Sequence, residues 1–102
     1  MGEEELYEVL LARVGQITAS PQPADDVLEE LLQSVLAQAL RLSVEVATQE
    51  EQLVDLARDG DVQALLQALA RREQARWKRE RLIAAAHELR GRLAQLRQAG
   101  TS

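Results

Sequence analysis

Leu28, Leu32, Val35, Ala39, Leu42, Val46, Gln49, Leu53 and Leu56 follow one another in alternating steps of four and three residues. That spacing holds all nine side chains on one side of a helix through four heptads. A strand, whose side chains switch faces at every residue, cannot use it. The seam therefore dictates a long helix packed against another helix, with one polar member, Gln49. A second apolar stripe, Val27, Leu31, Leu36, Leu40, Val44 and Ala47, flanks the first along its N-terminal two-thirds. A helix apolar on two sides predicts two neighbours. Leu, Ala, Glu, Arg and Lys supply 58 of the 102 residues, a composition that, with this periodicity, belongs to long helices and coiled coils.

The neighbours are legible on either side. Leu6, Leu10, Val14 and Ile17 form one face of a short helix, about 3–18, whose Glu3, Glu4 and Glu5 favour its positive N-terminal end. Gly15 weakens that end, and Ala19-Ser20-Pro21-Gln22-Pro23 closes it. Helix two is expected over about 23–58, with Ser20 or Asp25 as its cap. Asp59-Gly60-Asp61 is a stop and restart: Gly60 suits the left-handed closing residue and Asp61 the cap of helix three, about 62–98. That helix opens on Val62, Leu65, Leu66 and Leu69 and ends on Leu82, Ala86, Leu89, Leu93 and Leu96. A frayed tail is expected over 99–102. The fold class is all-α: a short N-terminal helix and a long antiparallel hairpin in one domain, 1–102.

The short turn makes helices two and three antiparallel neighbours about 50 Å long at ~1.5 Å per residue. Residues equidistant from Gly60 then face each other. Leu89 meets Leu31, Leu82 lies near Gln38 and Ala39, Gln49 meets Arg72, Arg76 falls near Glu45, and Trp77 lies opposite Ser43. The first helix, about 24 Å long, covers at most half of this hairpin and is expected on the second stripe of helix two. Charge divides in the same way: residues 1–60 hold 3 basic and 13 acidic side chains, and residues 61–102 hold 9 basic and 4 acidic. Two such arms neutralise each other when packed, and the basic stretch 71–81 is expected to pair with the acidic helix.

Chemistry is sparse. There is no cysteine, which removes disulfides, thiolate metal sites and a cysteine nucleophile. The one histidine, His87, has no ligand at helical spacing, and no Glu-x-x-His pair of a di-metal bundle occurs. Asp59-Gly60-Asp61 is too short for a calcium loop. No phosphate loop or nucleophile elbow is present. The reading is a non-enzyme without metal or cofactor. No apolar run approaches the roughly 18 residues of a membrane span, and the start Met-Gly-Glu-Glu-Glu lacks the cations of a signal peptide, so a cytoplasmic protein is expected. Residues 71–81, with Trp77, could follow a phosphate backbone. A sequence pI near 4.9 argues against nucleic acid.

What remains is uncovered apolar surface on the distal hairpin: Leu53, Leu56, Val62, Leu65, Leu66, Leu69 and Trp77 are the candidate partner-binding residues. The stretch 53–66, through Asp59-Gly60-Asp61 and into Leu65-Leu66, followed by Leu69 and Arg71-Arg72, resembles the flagellar type III export chaperones over roughly residues 45–97. That resemblance implies a cytoplasmic chaperone holding the C-terminal amphipathic helix of a filament-cap or hook-junction subunit. The alternative from the same residues is a homo-oligomeric coiled-coil adaptor, most simply a homodimer.

Overall fold

The computed structural model describes residues 2–20 and 23–100, which form α1 (Glu3–Ala19), α2 (Asp25–Asp59) and α3 (Val62–Gly100). A short helix lies beside a long antiparallel hairpin, and the described residues contain no strand. The body measures 63 × 24 × 17 Å. Its length comes from the 35 and 39 residues of α2 and α3.

The turn forms as its residues dictate. Gly60 takes φ 73°, the left-handed region, and its N–H donates to Leu56 O at 3.1 Å. The Ala64 N–H donates to Asp61 Oδ1 at 3.1 Å, so Asp61 caps α3. The other boundaries differ from expectation. α2 starts at Asp25, after Pro23 and an extended Ala24 with no side-chain cap. Asp25 does not cap it, and Ser20 closes α1 instead, its N–H donating to Ile17 O at 3.1 Å. α3 continues through Ala99 and Gly100 rather than fraying, because nothing before Gly100 breaks its helix. Pro21, Thr101 and Ser102 lie outside the described residues.

Leu28, Val35, Ala39, Leu42, Val46 and Leu53 of the α2 seam are buried, while Leu32, Gln49 and Leu56 are half-buried. The α3 seam is longer than its leucines suggest. Leu65, Ala68, Arg72, Ala75, Arg79, Leu82, Ala86, Leu89, Leu93 and Leu96 keep the alternation of three and four without a break. Ala68 and Ala75 are buried, and the Nε atoms of Arg72 and Arg79 are shielded from solvent with no hydrogen-bonding partner. So two arginines that read as surface charge occupy inner positions, flanked by alanines small enough to admit their stems. Leu28, Leu31, Val35, Leu82 and Leu89 are the most completely enclosed side chains. All lie in the half of the hairpin that α1 covers.

α1 does not lie on the second stripe of α2. It sits in the groove between α2 and α3, antiparallel to α2, burying Tyr7, Leu10 and Val14. On the α2 side this covers Leu31 and Gln38 and leaves Leu36, Leu40 and Val44 exposed. The reason is both packing and charge. A groove offers apolar wall on two sides, whereas the outer stripe offers one. α1 carries four acidic and one basic side chain, α2 nine acidic and two basic, α3 three acidic and nine basic. Against α3 the acidic helix meets cations, and against the outer face of α2 alone it would meet none but Arg41 and Arg58.

Candidate interaction surface

Two cations of α3 hold α1 at its ends. Lys78 forms an ion pair with Glu4 and lies 5.5 Å from the centre of the Tyr7 ring. Fourteen residues on, Arg92 donates to the carbonyls of Thr18 and Ser20 at the C-terminal end of α1, where the helix dipole is negative. Glu4 and Thr18 are also fourteen residues apart, so the two helices run side by side in the same direction with matched spacing. This fixes where α1 stops. Its first turn stands beside Gln38, Leu42 and Ala75, at the middle of the hairpin. From there to the turn, α2 and α3 form a bare two-helix arm.

The arm carries most of the expected partner-binding residues, in three different settings. Leu53 is buried in the seam, and Leu56 and Leu65 close it, half-buried, next to the turn. Leu69 is half-buried on the flank. Val62 and Leu66 point outward, 67% and 61% exposed. The structure therefore brings Val62, Leu66 and Leu69 together on the outside of α3 at the tip, with Leu53, Leu56 and Leu65 beneath as support. Trp77 stands apart. It is exposed, lines a groove with Glu4, Tyr7, Glu8 and Leu11, and has the Arg81 guanidinium 4.8 Å from its ring centre. It belongs to the α1 side of the molecule and does not face Ser43, since it comes two residues after the seam position Ala75, which turns it away from α2.

The basic stretch is also partnered differently from expectation. Arg72 and Arg76 pair with Glu73 of the same helix at 3.1 and 3.5 Å, Lys78 with Glu4 of α1, and Arg81 with Trp77. Among the described residues the ion pair joining α2 to α3 is Glu29–Arg97, at 3.3 Å, far from this stretch. Arg76 does not reach Glu45. Exposed pairs of this kind contribute little each.

Beside α1, a cleft of about 170 Å³ is lined by Tyr7, Gln38, Glu45, Arg71, Gln74 and Lys78, among others. Tyr7 and Gln38 are both buried, and the Tyr7 hydroxyl has no hydrogen-bonding partner. His87 is exposed, and no group of three or more acidic or histidine side chains converges among the described residues. Among the described residues no helix is long and apolar enough to cross a membrane. No protein-family profile, curated protein or solved structure matches the chain.

Proposed function

We propose that the chain is a non-enzymatic protein-binding module, acting in the cytoplasm, whose hairpin tip takes the apolar face of a partner helix. The observation that carries this reading is the mismatch of lengths. α1 reaches only as far as mid-hairpin, where its first turn lies, while Val62 and Leu66 stand open on the uncovered arm. An open apolar face beside a firm two-helix support is what helix-in-groove recognition requires. The resemblance of residues 45–97 to flagellar type III export chaperones supplies the kind of partner: the amphipathic C-terminal helix of a filament-cap or hook-junction subunit.

Titration calorimetry with synthetic peptides of such C-terminal helices tests this. Val62→Glu with Leu66→Glu should weaken binding at least about tenfold, or ~1.4 kcal/mol, with helical content unchanged. Absence of binding by the unaltered protein, or equal binding by the double variant, removes the proposal.

A further inference from the structure

The cleft beside the first turn of α1 has an apolar floor and polar walls. Leu42 and Ala75, both buried seam residues, form the floor. Gln38 and Glu45 stand seven residues apart on α2, and Arg71 and Lys78 seven apart on α3, so each pair lies along one side of its helix. Lys78 is already committed to Glu4 and to the Tyr7 ring. Glu45, half-buried, and Arg71, exposed at the rim, have no ion pair or side-chain hydrogen bond among the described residues. Gln38 is the residue that packing does not explain. It is 4% exposed, yet its amide has no hydrogen-bonding partner among the described residues and, unlike the Tyr7 hydroxyl, is not sealed from solvent. The small part of Gln38 left open is therefore its amide, aimed into the cleft. One heptad earlier the same flank of α2 holds the enclosed Leu31, so a place under α1 does not itself call for an amide. Buried polar groups are kept where something satisfies them.

We infer that this cleft binds a free α-amino acid with an amide side chain, of which glutamine is the pattern. The charges exclude simpler ligands. An anion drawn to Arg71 also meets the Glu45 carboxylate, and a cation drawn to Glu45 also meets Arg71 and Lys78. A zwitterion answers both signs, its carboxylate on Arg71 and its ammonium on Glu45. The Gln38 amide offers an acceptor and donors together, and a second amide returns both in one pair. The methylenes between then lie on Leu42 and Ala75. Size agrees. A cavity of about 150 Å³ admits benzene, and this one, at about 170 Å³, takes a molecule of about ten non-hydrogen atoms, the size of glutamine. Val62 and Leu66 do not line the cleft, so this binding is separate from that proposed for the tip.

Titration of the full chain with L-glutamine, followed by nitrogen-15 NMR, tests this. The side-chain amide signal of Gln38 should shift and saturate, with backbone shifts at Glu45, Arg71 and Gln74. A dissociation constant on the order of 1 mM or tighter is expected for so small a ligand. Glutaramate lacks the ammonium, γ-aminobutyramide the carboxylate and norleucine the amide, and each should bind at least about tenfold more weakly. Gln38→Leu and Arg71→Gln should each weaken glutamine binding by a similar factor, with helical content unchanged. Arg71→Gln alters an exposed side chain, so it carries the test even if Gln38→Leu disturbs the packing of α1. Val62→Glu with Leu66→Glu should leave glutamine binding intact. The inference is overturned by absence of saturation at about 10 mM glutamine, by equal binding of norleucine or glutaramate, or by equal glutamine binding in Arg71→Gln.

Discussion

Gln49→Leu should raise the stability of the fold. Gln49 and Arg72 occupy equivalent seam positions on α2 and α3, equidistant from the turn, and Gln49 Oε1 and Arg72 Nε are both cut off from solvent without a hydrogen-bonding partner. A shielded, unpaired polar atom of this kind costs about 1–3 kcal/mol. Leucine removes the orphaned acceptor. It also adds apolar contact for a half-buried side chain, about 1 kcal/mol. The two residues are close in volume, so overpacking contributes little. Against the gain stands the specificity a polar layer gives an antiparallel pair. Here the tight Gly60–Asp61 turn already fixes the register, so little is lost. A net gain of about 1–2 kcal/mol follows, which for a chain of this size raises Tm by roughly 4–8 °C per kcal/mol. Urea denaturation followed by circular dichroism should show a higher midpoint with unchanged slope. The decisive arm is a cycle with Arg72→Met, where the coupling should stay under about 0.5 kcal/mol. A destabilised Gln49→Leu, or a larger favourable coupling, would show that amide and guanidinium bond each other and that the reasoning from orphaned atoms is wrong.

Three further outcomes follow from the packing. Leu31→Ala should cost more than Leu32→Ala, about 2–5 kcal/mol against the low end of that range, because Leu31 is enclosed by α1 and α3 while Leu32 is half-buried; equal losses in a thermal melt would refute the seating of α1 in the groove. Gly60→Ala should cost about 1–2 kcal/mol through its positive φ alone, since its neighbourhood leaves open space for a methyl group. Tyr7→Phe should be neutral or stabilising by up to about 1 kcal/mol, because the hydroxyl it removes is buried and unpartnered, and a loss above that would place a hydrogen bond on this oxygen.

The long period of α2 was enough to read the hairpin, its turn and its helical neighbours, because a seam of four heptads has few other ways to be buried. Charge patterning was less transparent. Residues 71–81 look like a surface patch because arginine is read by its head, yet Arg72 and Arg79 use their stems as seam members and are distinguishable only by continuing the three-four alternation through Ala68 and Ala75. Position along the helix, not hydrophobicity, carries that signal. Trp77 is apolar like the tip leucines and falls beside them in a count of uncovered apolar residues. Register sets it elsewhere, on a face that the apolar count does not see.

The side on which α1 docks decides what the rest of the molecule offers. Periodicity alone ranks the two apolar flanks of α2 equally, and the outer stripe, with Leu40 and Val44, is the more hydrophobic. What tips the choice is that α1 is itself acidic. On α3 it gains Lys78 for Glu4 and Arg92 for its C-terminal carbonyls, whereas the outer stripe offers one central cation, Arg41, amid carboxylates. Weak exposed pairs seldom stabilise a fold by much, but they discriminate between packings of comparable apolar area. The consequence is a division of α2 into three faces: one committed to α3, one to α1, and one left regular, apolar and open. Reversing the charges that hold α1, with Lys78→Glu and Glu4→Lys, should preserve its seat, while Lys78→Glu alone should loosen α1 and increase hydrogen exchange across residues 3–19. If Lys78→Glu leaves exchange in α1 unchanged, packing alone selects the groove, and the open stripe on α2 owes nothing to charge.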